Sequence, residues 1–223
     1  AYERAALTLN FIRALIDGGF ADLHHPGNWD LDWVSHSPLA DEYHRMVQTV
    51  ADGLDFFESL TGKSIDQARR VDFYTAHEGL HLPYEQAQTR FLGHRQKWYD
   101  LTTHFPWIGA RTSQPGSAHI EFFRGVSNPV GVKLGADMTP DWLRSLLHSL
   151  NPDNQAGRLT LIHRFGAARI RSLLPPLIET VRREGAQVLW VCDPMHGNTE
   201  TASNGLKTRR FENILDELAS AFE

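Results

Sequence analysis

The sequence predicts an α/β fold built on a parallel sheet. Three observations carry this. Short apolar runs near residues 130, 159 and 187 recur at about 30 residues, the length of one strand–helix unit. The runs are nearly continuous rather than alternating, as in strands covered on both faces. Amphipathic helical patterns fill the intervals between them. A complete eight-unit barrel needs about 250 residues, and only four or five units are countable here. The spacing therefore fits either an open sheet or part of a barrel.

The elements can be justified in order. Residues 2–16 place Leu9, Ile12 and Ile16 at roughly helical spacing and stop at Gly18-Gly19. A polar, aromatic loop, "ADLHHPGNWDLDWV", follows. Residues 39–60 repeat the helical pattern through Tyr43, Met46, Val47, Val50, Leu54 and Phe57, and Gly62 closes it. These helices precede any clear strand and define a helical segment, residues 1–69. Residues 70–223 then read as the strand-bearing part. Strands are expected at "VDFYTA" (71–76), "HFPWIG" (104–109), "NPVGVKLG" (128–135), "RLTLIHRFG" (158–166) and "QVLWVC" (187–192). Thr139 is a good N-cap with Pro140 at the first helical position, so a helix over 139–150 is expected. A helix over 168–183 ends at Gly185. A last one, over 207–222, sets Phe211, Ile214, Leu215 and Leu218 on one face.

Composition narrows the function. The 223 residues are 41% hydrophobic and 22% charged, with a net charge of −5. There is no basic run to grip nucleic acid and no stretch near the roughly 20 apolar residues of a membrane helix. The first residues mix charge into apolar positions and do not read as a signal peptide. The single cysteine, Cys192, forms no internal disulfide and fits a reducing, cytoplasmic setting.

In parallel α/β folds the functional residues gather at the carboxyl ends of the strands. His77 and Glu78 follow the first run, and Trp107 and Arg111 lie in and after the second. Lys133 ends the third, His163 and Arg164 follow the fourth, and Cys192, Asp193 and His196 follow the fifth. If the strands are adjacent, Arg111, Lys133 and Arg164 converge. Three clustered cations suit a substrate carrying phosphate and carboxylate groups. For each alone, a surface ion pair is the simpler reading. His196 sits at a strand end between Pro194 and Gly197 as a metal ligand, a general acid or base, or a loop histidine. Asp193 orients His196 or caps the turn, and Cys192 reads as a small buried apolar residue. Lys207 and Arg209 are expected to open the last helix, where they oppose its dipole.

The longer motifs carry a resemblance. "WVCDPMHGNT" with "GLKTRRFENILDEL", and in order "HEGLHLPYEQAQTR", "HFPWIGARTSQPGSAHIEFFRGVSNPVGVKLG" and "NPDNQAGRLTLIHRFGAARIRSLLPPLIETV", strongly resemble the type II (plant-like) 3-deoxy-D-arabino-heptulosonate 7-phosphate (DAHP) synthases. The segment "ALTLNFIRALIDGGFADLHHPGNWDLDWV" resembles the insertion this family carries ahead of its third barrel strand. The resemblance implies a (β/α)8 TIM barrel of which this chain holds about strands 3–6. It implies condensation of phosphoenolpyruvate with erythrose 4-phosphate and water to DAHP and phosphate, the first step of the shikimate pathway. It also implies a divalent metal, commonly Mn or Co, and in some members a homo-oligomer. By position, Trp107, Arg111, Lys133 and Arg164 match phosphoenolpyruvate-binding residues, His196 a metal ligand, and Lys207 a phosphate-proximal lysine. Lys133 and His196 carry the catalytic expectation. Ala110 stands where the family's "WIGxRT" motif has Glu. The family's other metal ligands fall on strands outside the sequence given, so the 223-residue piece alone is expected to be inactive. Two other readings are a relative accepting an amino-sugar phosphate, to which Ala110 lends modest support, and a non-catalytic remnant that binds phosphorylated ligands.

Overall fold

The computed structural model describes residues 2–20, 22, 34–63 and 71–223. Most of the expected loop at 21–34 lies outside these. The chain divides into two compact units, Ala1–Phe73 and Tyr74–Glu223.

The first unit contains two helices. α1 (Tyr2–Asp17) ends where Gly18 N–H bonds Ala14 O and Gly19 turns with φ +83°. α2 (Ala40–Thr61) is closed by Gly62 in the left-handed region, its N–H on Glu58 O. Glycine takes that conformation without a Cβ penalty. Among this unit's described residues only Asp22 and Val34 are buried, so the two helices enclose no core of their own.

The second unit is α/β. Its sheet contains β1 (Ala76–Glu78), β4 (Phe105–Ile108), β5 (Val130–Leu134), β6 (Leu159–His163) and β7 (Leu189–Cys192), all parallel and in that order. A short helix α3 (Leu82–Gln88) and an antiparallel hairpin, β2 (Thr89–Leu92) with β3 (Lys97–Asp100), separate the first two sheet strands. Helices α4 (Ala118–Arg124), α5 (Pro140–Leu150) and α6 (Ile170–Arg183) make the crossovers. A two-residue-strand hairpin, β8 (Glu200–Thr201) with β9 (Lys207–Thr208), leads into α7 (Phe211–Ser220).

Strand order follows chain order without reversal. Right-handed crossovers in such a sheet put every connecting helix on one face, as in a barrel wall and unlike a doubly wound sheet. The core agrees. Val130, Val132, Leu134, Leu159 and Leu161 pack with Leu143, Leu146, Leu150, Ile170, Leu174 and Leu177 from the helices. Side chains alternate across a strand, so the intervening residues point to the other face. Strand register aligns Glu78 with Trp107, Trp107 with Gly131, Lys133 with Ile162, and Ile162 with Val191 there.

Three expectations need correction. The first strand is Ala76–Glu78, not 71–76. Thr75 already spends its backbone N–H on His104 Nδ1 and its hydroxyl on Thr103 and His104, so pairing begins one residue later. His77 and Glu78 are therefore in the strand rather than after it. Lys207 and Arg209 do not begin a helix. Asn204-Gly205, with Gly205 at φ +80°, turns the chain into the β8–β9 hairpin, and the helix starts at Phe211. The dipole argument for these two cations falls with it. Finally, the apolar face expected of α7 is largely exposed (Phe211 66%, Leu215 48%), while Glu217 is fully buried.

Candidate active site

The carboxyl ends of β4 to β7 supply the site. After β4, Gly109 passes so close to Glu78 that an added Cβ would stand 2.2 Å from its Oε1. A single 3-10 turn, Ala110–Thr112, then presents Arg111. On β5, Lys133 points to the face opposite the helices. Its ammonium ion-pairs with Asp193 and lies 5.9 Å from the centre of the Trp107 ring. After β6 comes Arg164, which donates to His196 O at 2.8 Å and whose Nε is buried without a partner.

After β7, Asp193 organises the turn. Its Oδ1 accepts the backbone N–H groups of Met195 (3.2 Å) and His196 (3.3 Å). Its Oδ2 lies 2.7 Å from His196 Nδ1. Burial works against its charge, but the bonds from Lys133 and His196 prevail and hold the carboxyl down at about 2. Both roles expected for Asp193 are therefore present. It is also the negative group among the clustered cations, so Lys133 is already neutralised.

The loops bearing Arg164 and His196 interlock. An added Cβ at Gly197 would stand 2.3 Å from Gly166 N, and one on Gly166 (φ +85°) 2.7 Å from Gly197 O. Glu217 ties both loops to α7. Its Oε1 accepts Phe165 N–H (2.8 Å) and Gly166 N–H (3.0 Å), and its Oε2 accepts the Asn198 amide (2.7 Å). Asn198 in turn accepts Ala167 N–H at 3.0 Å.

These loops border an open cavity of about 380 Å³ lined by Ala110, Arg111, Asp137, Arg164, Arg169 and His196, among others. Arg111 and Arg164 thus meet as the strand-end reasoning expects, with His196 beside them, but Lys133, expected to converge with them, is not among the described residues lining the cavity. Trp107 and Lys133 lie on the adjoining sheet face, and Lys133 connects to His196 through Asp193. Lys207 is exposed on the β8–β9 hairpin and is not among the described residues lining the cavity. Nothing in the sequence pattern singles out Asp137, Arg169 or Glu217. "RFGAARIR" holds three arginines, and only the fold distinguishes which face the cavity.

Cys192 is half-buried, and burial first, then the charges of Glu217 and Asp193, pushes its thiol up to about 11. It is no nucleophile at neutral pH. His163 is buried on the helix face, stacked on Phe165, and burial lowers its pKa, keeping it neutral. His163, Cys192 and Glu217 form a group that could hold a metal ion, with one donor atom from each within 4.8 Å of the others. Glu217 would bring to it a carboxylate that already accepts three hydrogen bonds. His196 is a separate donor on the cavity side. Asp193 holds its Nδ1, the arrangement that orients metal-binding imidazoles and leaves Nε2 for the ion.

A second buried polar cluster lies apart from the cavity. His77 Nε2 sits 3.1 Å from Glu85 Oε1, and the Thr102 hydroxyl spans Glu85 (2.6 Å) and Asp100 (2.7 Å). Among the described residues no helix is long and apolar enough to cross a membrane.

The sequence pattern of the Class-II DAHP synthetase family matches residues 1–223. A phospho-2-dehydro-3-deoxyheptonate aldolase of Streptomyces coelicolor is 42% identical over 222 residues, covering 100% of this chain and 49% of its own length. One from Neurospora crassa is 40% identical over 234 residues, covering 98% of this chain and 49% of its own. The chain spans about half the length of these curated relatives. A match over the whole chain, joined to a parallel sheet with its cations at the strand ends, shows that the chain belongs to the Class-II DAHP synthetase family.

Proposed function

We propose that this chain provides the phosphoenolpyruvate-binding side of a 3-deoxy-7-phosphoheptulonate synthase, which condenses phosphoenolpyruvate with erythrose 4-phosphate and water to DAHP and phosphate. The observation that carries this is the convergence of Arg111 and Arg164, both without a carboxylate within 4 Å among the described residues, on one cavity beside His196. In the reaction the enol C3 bonds to the aldehyde carbon, the water oxygen ends on C2, and phosphate leaves. Arg111 and Arg164 grip the phosphate as planar forks. Lys133 sits against the Trp107 ring and beside Asp193, poised to exchange that partner for the enol substrate's carboxylate.

His196, aligned by Asp193, is the residue here that would hold the divalent metal. When bound, such an ion supplies Lewis-acid polarisation of the aldehyde. The protein's own contribution is placement: interlocked loops hold the anion-binding arginines and the histidine in one geometry, which lowers the entropic cost of bringing two substrates together. With Ala110 in the lining, Asp137 is the only carboxylate among the described lining residues. The role of Lys207 rests on the resemblance alone. The helical segment 1–69 is proposed as the family's insertion, and the free Cys192 thiol suits a cytoplasmic enzyme.

The test is turnover of both substrates by the full-length protein, followed as phosphate release. Arg164→Ala should lower kcat/KM about 100-fold or more, the scale of losing charge-assisted hydrogen bonds to a substrate anion. A wild-type protein that does not convert the pair, or an Arg164→Ala protein that converts it normally, overturns the proposal.

A further inference from the structure

The cavity holds a third guanidinium beyond the two that the strand-end reasoning placed there. Arg169 stands just before α6 and lines the same cavity as Arg111 and Arg164. Its Nε donates to Phe165 O at 3.0 Å, which tethers the side chain to the loop that carries Arg164. Some surface arginines of this chain are ion-paired, among them Arg124 with Glu121, Arg144 with Asp141 and Glu184, Arg183 with Glu179, and Arg210 with Glu200. Arg111, Arg164 and Arg169 have no such partner within 4 Å among the described residues, and Asp137 is the single carboxylate among the described residues that line their cavity. Three guanidiniums gathered on one cavity of about 380 Å³, with Arg111 and Arg169 exposed and Arg164 half-buried, repel one another through solvent and make a positive surface that attracts an anion. Lys133, committed to Asp193, does not contribute its charge in this state.

We propose that Arg169 is a further substrate-binding residue, contributing a third guanidinium to the phosphate of the enol substrate alongside Arg111 and Arg164. This rests on the phosphoenolpyruvate reading of the cavity given above. A phosphate presents three terminal oxygens, enough for three separate forks, whereas a carboxylate is filled by one or two. Because the Nε–H bond to Phe165 O fixes the inner edge of the guanidinium, its two terminal amino groups are held beside the cavity, and less rotamer freedom is lost on binding.

The experiment uses the full-length protein, first shown to turn over both substrates; failure at that stage sinks the reading of the cavity and is distinct from failure of this inference. In the active enzyme, Arg169→Ala should raise KM for phosphoenolpyruvate about ten-fold. KM for the aldose phosphate and the melting temperature should stay near wild type. Inorganic phosphate, tested as a competitor against phosphoenolpyruvate, should inhibit Arg169→Ala about ten-fold more weakly. Arg169→Lys, which keeps the charge but not the fork, should recover part of both losses. An unchanged KM for phosphoenolpyruvate, a rise confined to the aldose phosphate, or unaltered inhibition by inorganic phosphate would each overturn the assignment. So would a loss of kcat that tracks a fall in melting temperature.

Discussion

Glu217 shows what a single buried carboxylate can organise. Its two oxygens accept three donors from two different loops, and burial removes water as a competitor for any of them. Glu217→Gln keeps one carbonyl oxygen for the Phe165 and Gly166 N–H groups. It then sets an NH2 donor against the Asn198 amide, which cannot simply flip because its oxygen is held by Ala167 N–H. The expected loss is about 1–3 kcal/mol of stability, the cost of unsatisfied buried donors, read as a lower urea midpoint. A variant within about 0.5 kcal/mol of wild type would show that the carboxylate is not what holds the loops. At this scale Arg111, Arg164 and His196 were legible in the sequence because each follows an apolar run at a strand end. Glu217 was not, since a lone acid on an amphipathic helix looks like a solvated residue until the loop N–H groups it faces are known.

Among the elements, the His77–Glu85–Asp100 cluster joins β1, α3 and β3 and should respond to pH. Burial first, then its bond to Glu85, raises Asp100 from 3.8 to about 6. The hydrogen bond to Glu85 raises His77 above 6.5, against burial. Burial opposes the charge on Glu85, but His77 and Thr102 bring it below 4.5. The two raised groups stabilise the fold at low pH and lose that contribution as pH rises through their folded values. The lowered Glu85 stabilises it above 4.5 and loses its contribution below. Stability from this cluster should therefore peak near pH 4, between 3.8 and 4.5, decline to about 6 as Asp100 ionises, and fall again above 6.5 as His77 loses its proton. Asp100→Asn should flatten the decline between about 4 and 6 in thermal melts at stepped pH, and an unchanged decline there would sink the account. Strand and helix periods placed most elements. The short elements α3, β2–β3 and α4 were not placed, being too brief to show a period, and the first strand and the β8–β9 hairpin escaped because side-chain bonds from Thr75 and a two-residue turn, not hydrophobic period, set their limits.

For the whole molecule, burial is uneven across the sheet. Every residue of β6 is buried, and it pairs with β5 over five residues and with β7 over four. β7 leaves Leu189 60% and Val191 38% exposed. Hydrogen exchange on the 223-residue chain should thus be slowest in β5 and β6 and faster in β1 and β7, with β8–β9 fastest. Equal protection of β1 and β6 would contradict this order. The sequence by itself determined the α/β class, the parallel strands and the cationic strand ends, because apolar period and capping residues are local properties of a chain. Only the tertiary structure decided which charges meet. Asp193 neutralises Lys133, Arg169 joins Arg111 and Arg164, and Gly166 abuts Gly197, because those pairings depend on the register of neighbouring strands and on loops that touch only once the sheet has formed.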